Sequence, residues 1–248
     1  METGDARHAL FSGLIDHAPT FPPAALAPPA ALAEDARAAS SRHAFVLGRL
    51  VWPTSRLGEL PRSPRPVSAV LDAPLPSGAR VAAVEARFRE DLSALAGLAA
   101  EVYVEVPIDD HLEERLDELV VRGSRAKVRC GGEVLPAADA LAHFVRACRT
   151  RSLVFKATAG LHRAVRSNGD HGFLNLLAAV VFAGDEDEAL EETDPGAFVI
   201  DDESFSWRRR QAGVEELVRV RDELFHSIGS CSFFEPVEEL VALGVLPA

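Results

Sequence analysis

Two lysines stand out because the chain has almost no others: of 26 basic residues, all but Lys127 and Lys156 are arginine. The same bias leaves one Tyr and one Met among 248 residues, as a coding preference does when it removes such residues wherever chemistry tolerates it. Arginine replaces lysine at solvated positions. It cannot do so where a deprotonatable amine or a compact point charge is needed, because a guanidinium keeps its proton. Lys127 and Lys156 fall in short apolar runs, AKVRC and LVFKAT, that read as adjacent strands. A neighbouring cation and partial burial both disfavour an ammonium, so Lys127 is expected to lower the pKa of Lys156. A lysine lowered in this way attacks carbonyls and forms imines. Arg129 then remains as the permanent charge for an anionic substrate group, and Glu105 or Glu85 can move protons.

Other polar residues collect around these. Thr158 shares the strand face of Lys156, and the chain continues through Gly160 to His162. HGFLN then brings His171 and Asn175, four apart and on one helix face. The two histidines suit general acid–base work, contacts to substrate hydroxyls, or a metal site with a glutamate; structural hydrogen bonds are an equal alternative. No two histidines stand four apart, so no metal is expected, and no other cofactor either. In SIGSCS, Gly229 and Ser230 precede a helix, where backbone N–H groups can approach phosphate or carboxylate. Gly131 and Gly132 either open space for a substrate or end a strand. A wholly structural alternative also stands, with Glu85, Glu105, Lys127, Arg129 and Lys156 forming a buried ion network.

These residues need elements to position them. Apolar runs at 43–52, 67–73, 81–86, 101–106, 126–130, 153–158, 197–201 and 226–232 read as strands. FREDLSALAGLA, HLEERLDELVVR, AADALAHFVRACR, GFLNLLAAVVFA, QAGVEELVRVRDELF and PVEELVALGVL have helical periodicity. Eight strands joined by helices predict a compact, single-domain α/β fold over residues 1–248, a (β/α)8 barrel. The alternative is an open doubly wound sheet, because the link between 67–73 and 81–86 is too short for a helix. In EVYVEV the valines form one face, so Tyr103 and Glu105 point into a closed barrel. Residues 1–42 read as a Pro/Ala-rich extension or lid, with a strand or loop at LFSGLID and a proline-initiated helix, and Asp16 with the FPPA segment is expected to form either a lid or a barrel plug. GDEDEALEETD (184–194) reads as a solvated insertion.

A formal charge of −12 disfavours nucleic acid and anionic membranes, leaving a small anionic metabolite as the expected partner. No apolar run approaches a membrane span and no secretory leader is apparent, so the cytoplasm is the expected compartment. Cys130, Cys148 and Cys231 are too scattered for a disulfide framework and read as reduced thiols. A homo-oligomer is compatible with all of this.

Three resemblances bear on function. LVFKATAGLH resembles the Lys-x-Ser/Thr-x-Gly-Phe strand of deoxyribose-phosphate aldolases, class I barrel aldolases whose sixth-strand lysine forms an imine. GLIDH resembles that family's opening Ile-Asp-His, and SIGSCS its final Ile-Gly-x-Ser-Ser phosphate-binding strand. The resemblance covers about 25 residues and implies a lyase with its imine at Lys156, on the sixth strand of the eight above, and Gly229 and Ser230 at the anion. The chain departs from the family in having AFVIDD where a second lysine strand belongs and Glu105 at the strand-four aspartate position. Lys127 on strand five would have to supply the missing charge. KATAGLHRAVR is also similar to the Lys-Thr-x-Pro-Gly-Leu-Arg motif of quinolinate phosphoribosyltransferases, which implies a transferase with the lysines as phosphate ligands. That family carries an additional N-terminal domain for which forty residues are short. FSGLIDHAPTFPPA, KVRCGG and HGFLN together are similar to bacterial proteins of unassigned activity, which implies no function.

Overall fold

The computed structural model describes residues 4–61, 65–132 and 135–248. Its centre is a closed barrel of eight parallel strands. In chain order these are β1 (Ile15–His17), β2 (Leu47–Pro53), β3 (Val67–Val70), β4 (Ala83–Arg87), β5 (Glu101–Glu105), β6 (Arg125–Arg129), β7 (Phe155–Thr158) and β11 (Phe225–Ser230). Each pairs with the next, and β11 pairs with β1 to close the ring, so the chain is a (β/α)8 barrel and not an open sheet.

Helices cover the outside where the connections are long enough: α2 (Pro28–Ala39), α3 (Leu112–Val121), α4 (Ala138–Thr150), α5 (Phe173–Val181), α7 (Val214–Glu223) and α8 (Phe234–Ala242). The alternation read in β5 and β6 holds, since Val104 and Val128 join the apolar layer under the helices with Leu116 and Phe144. Phe155 on β7 is sandwiched between Phe144 and Phe225, with ring centroids 5.2 and 5.1 Å away. On the other side of the barrel, Leu50 and Trp52 of β2 pack on Ala31 of α2.

Several expectations fail, each for a local reason. Residues 15–17 are a stave of the barrel and not part of a lid. Three residues buried on both faces give no recognisable run, yet Ile15 pairs with Ile228 on one side and Leu47 on the other. The run at 197–201 lies outside the barrel. It forms β8 (Phe198–Ile200), the edge of an antiparallel sheet with β9 (Ser204–Trp207) and β10 (Arg210–Gly213), so its apolar side chains reflect a hairpin. FREDLSALAGLA supplies only a 3-10 turn at Ser93–Leu95, with Gly97 in the left-handed region (φ 74°) breaking the helical path. The acidic insertion contains α6 (Glu186–Glu191), which buries Glu186, Ala189 and Leu190, and Arg149 lies 3.4 Å from the Glu186 carboxylate.

The C-terminal ends of β6 and β7 meet through glycine. A Cβ on Gly131 would stand 2.6 Å from the Cα of Gly160, backbone against backbone. Gly131→Ala should therefore lower stability by about 1–3 kcal/mol, read as a reduced urea midpoint at unchanged slope.

Candidate functional site

The barrel interior is filled by charge in place of the usual layers of branched apolar side chains. Polar residues alternate with apolar ones along β3, β6 and β7, and the closed sheet turns Ser68, Glu85, Lys127 and Lys156 inward, with Asp16 of β1, while the neighbouring His17 faces Asp35 of α2. Asp16 of β1 accepts from Lys156 Nζ (2.5 Å) and Ser227 Oγ (2.7 Å) at Oδ2, and from the Arg49 backbone N–H (2.7 Å) at Oδ1. Gly48 makes that last approach possible, since a Cβ there would lie 2.5 Å from Asp16 Oδ1.

Glu85 of β4 reaches across the lumen to Lys156. Its Oε1 accepts from Lys156 Nζ and from Ser68 Oγ, each at 2.8 Å, and its Oε2 accepts from Lys127 Nζ at 3.1 Å. Lys127 in turn lies 3.0 Å from Glu105, and Arg129 Nε donates to Glu105 at 3.3 Å. Asp16, Lys156, Glu85, Lys127, Glu105 and Arg129 thus form one chain of alternating charge. Side-chain exposure rises along its cations from 1% at Lys156 to 8% at Lys127 and 36% at Arg129, so the chain opens towards solvent at its Arg129 end. Below Lys156 lies a second polar group: the Tyr103 hydroxyl is 2.9 Å from Glu101 and 2.7 Å from His226, and its ring centroid is 5.5 Å from Lys156 Nζ.

This geometry corrects the expected lysine chemistry. Lys127 and Lys156 are Cα partners on neighbouring strands, as anticipated, but Glu85 stands between their ammonium groups. Burial pulls the Lys156 pKa down, and the Asp16 and Glu85 carboxylates outweigh it, holding the amine above the ordinary lysine range. Burial pushes the Glu85 carboxyl up, and Lys156 with Lys127 drives it below the usual range. Glu105 is held low in the same way, burial being outweighed by Lys127 and Arg129. Lys156 also stands on the seventh stave in chain order and Glu105 on the fifth, because β1 precedes the runs that were counted.

The proposed substrate contacts divide. Arg129 and Thr158 pair across β6 and β7 near the mouth, and Gly229 of β11 pairs with Thr158. A Cβ on Gly229 would lie 2.9 Å from Thr158 Oγ1, so this glycine makes room for the hydroxyl. Glu85 is not available to a substrate, since both its oxygens are taken inside the barrel. Ser230 is no open anion cradle: its hydroxyl donates to the Ser232 carbonyl (2.7 Å), and Glu235 already occupies the first turn of α8.

His162 lies 2.9 Å from that same Glu235 and outside the charge chain. His171 and Asn175 serve the backbone. His171 Nε2 lies 2.8 Å from the Pro136 carbonyl and Nδ1 lies 3.1 Å from Arg166, while burial, the largest influence, lowers its pKa. The Asn175 amide donates to Ala189 and Glu192 carbonyls and accepts from the Arg166 N–H. Cys130, Cys148 and Cys231 are free and buried, and burial pushes the Cys130 thiol up to about 12.

Sequence reasoning missed Asp16, Ser68 and Ser227 as members of the site. Alternation gave a signal for Ser68, alone between Val67 and Ala69, whereas His17 beside Asp16 and His226 beside Ser227 mask it at the other two. Comparison with protein-family models and with curated protein sequences returns no match. Among the described residues no helix is long and apolar enough to cross a membrane.

A pH profile of stability follows from the two opposed shifts. Glu85 is depressed on folding, so its contribution is complete above the ordinary glutamate pKa of about 4.3 and is lost as pH falls below it. Lys156 is raised, so its contribution is complete below the ordinary lysine pKa of about 10.4 and is lost as pH climbs above it. Urea unfolding should find these contributions intact between roughly pH 5 and 10 and declining on both sides.

Proposed function

We propose that this chain is a lyase of the imine-forming kind, acting on a small anionic carbonyl compound with Lys156 as the nucleophile. One observation carries the reading: the Lys156 amine is gripped by two carboxylates, 2.5 Å from Asp16 and 2.8 Å from Glu85. An imine needs a free amine for attack and then a proton donor to expel water from the carbinolamine, and an ammonium between two carboxylates has both within one hydrogen bond. On arrival of the carbonyl, the ammonium passes a proton to Asp16 or Glu85. The amine nitrogen then bonds to the carbonyl carbon and gives one of its protons to the carbonyl oxygen, the proton returned by the carboxylic acid lets that oxygen leave as water, and the resulting iminium withdraws electrons from the adjacent carbon–carbon bond. Arg129 at the solvent end takes the anionic group of the substrate. Lys127 holds Glu85 in place, and Glu105 and Thr158 line the approach.

The resting ion pair is the barrier this mechanism must overcome. An anionic substrate competes with Glu105 for Arg129 and Lys127, which loosens the chain from its exposed end towards Lys156. A second reading has a specific observation in its favour: Lys156 is 1% exposed and its carboxylate partners have all their oxygens occupied, as in a purely structural network.

Borohydride trapping decides between them. The protein is incubated with a panel of small phosphorylated and carboxylated aldehydes and ketones, reduced, and mapped by peptide mass. A reduced adduct on Lys156 supports the lyase. Adducts only on Lys127 or the N-terminal amine, or none with any carbonyl, leave the structural reading and remove the proposed one.

A further inference from the structure

The other end of the barrel carries a site of its own. At the N-terminal face a cavity of about 580 Å³ runs between α1 (Ala6–Phe11), α7 and the starts of β1, β2 and β11, and reaches Asp16, Tyr103 and Ser227. Its charge balance is unlike that of the chain as a whole, which is acidic. Arg49, on the cavity wall, shares the single carboxylate of Glu101 with Arg125. Arg65, also on the wall, is paired with Asp35, and Asp16 is taken by Lys156.

Arg221 is the decisive residue. Its guanidinium donates to the backbone carbonyls of Leu10, Ser12, Phe225 and His226, stitching the start of β11 to the segment ahead of β1. Among the described residues no carboxylate lies within ion-pair distance of it. Carbonyl dipoles satisfy N–H groups but leave the charge, and four such bonds leave one of the five guanidinium N–H groups over. Burial pulls its pKa down to about 10, against the opposing pull of the Asp16 and Asp222 charges further off. Asp222 is the cavity's other acid, exposed at the rim. Among the described lining residues three arginines, Arg49, Arg65 and Arg221, stand against two acids, Asp16 and Asp222.

We infer that this N-terminal cavity binds a small oxyanion of the phosphate class, held between Arg221 and Arg49. The site is separate from the Arg129 end of the charge chain, and anion binding there does not require chemistry at Lys156.

Val218 supplies the test, since it lines the cavity one helical turn from Arg221 and is 43% exposed. Inorganic phosphate is titrated at constant ionic strength against chloride, with melting temperature and calorimetry as readouts. The wild type and Val218→Gln should show a saturable rise in melting temperature. Val218→Glu, which brings a carboxylate to Arg221, should weaken binding about tenfold or more. The inference is overturned if phosphate produces no saturable rise, or if Val218→Glu binds as tightly as the wild type. It is equally overturned if Arg129→Gln abolishes binding while Val218→Glu spares it, which would locate the anion at the opposite end of the barrel.

Discussion

Everything inside this barrel depends on one ammonium shared by two carboxylates. Removing three such charges from water is costly, and only close, fully hydrogen-bonded partners recover that cost. Lys156 recovers it with Asp16 and Glu85, and these in turn are completed by Ser227, the Arg49 N–H, Ser68 and Lys127. The side-chain partners come from β1, β3, β4, β6 and β11, and the Arg49 N–H from β2, so a single cluster specifies the register of most of the ring. A one-residue slip in any of these strands would turn its polar member outward and leave a buried charge alone. That explains why a strand as short as Ile15–His17 is indispensable: it delivers Asp16.

The two ends of the barrel then differ in kind. Towards the mouth the chain of charges is balanced pair by pair and grows more exposed, from Glu85 and Lys127 to Glu105 and Arg129. Towards the N-terminal face, Tyr103, Glu101 and His226 form a hydrogen-bonded floor under Lys156, and Arg49 and Arg125 share the one carboxylate of Glu101. Lys156 sits between, sealed from both. The proposed chemistry at its amine requires the balanced side to open, where Arg129 is the most exposed cation of the charge chain.

Much of this was legible in the sequence, and the reasons are specific. The scarcity of lysine pointed to Lys127 and Lys156, and alternation in EVYVEV and AKVRC turned Glu105, Lys127 and Arg129 to the inner face. The barrel was legible because seven of its staves are apolar runs of recognisable length. β1 was not, since three residues carry too little pattern, and β8 was mistaken for a stave because a buried hairpin edge has the same composition. The pKa of Lys156 was misjudged for a deeper reason. Strand neighbours can be read from order along the chain, and by that measure Lys127 is the nearest charge. Glu85 is 71 residues from Lys156 and three strands away, and only closure of the ring brings it across the lumen to stand between the two lysines.

The most direct test uses the same scarcity of lysine. Protein labelled with nitrogen-15 at lysine side chains has two amine signals to observe, and their chemical shifts and hydrogen exchange report protonation at each. If Asp16 and Glu85 grip Lys156 as described, its signal stays that of an ammonium, with slowed hydrogen exchange, past pH values of about 10.4 where an ordinary lysine is half titrated. It should also move when Asp16 is replaced by Asn. A Lys156 signal that titrates at or below that value, or that exchanges as fast as a solvated amine, would contradict the buried ion chain on which this account of the barrel rests.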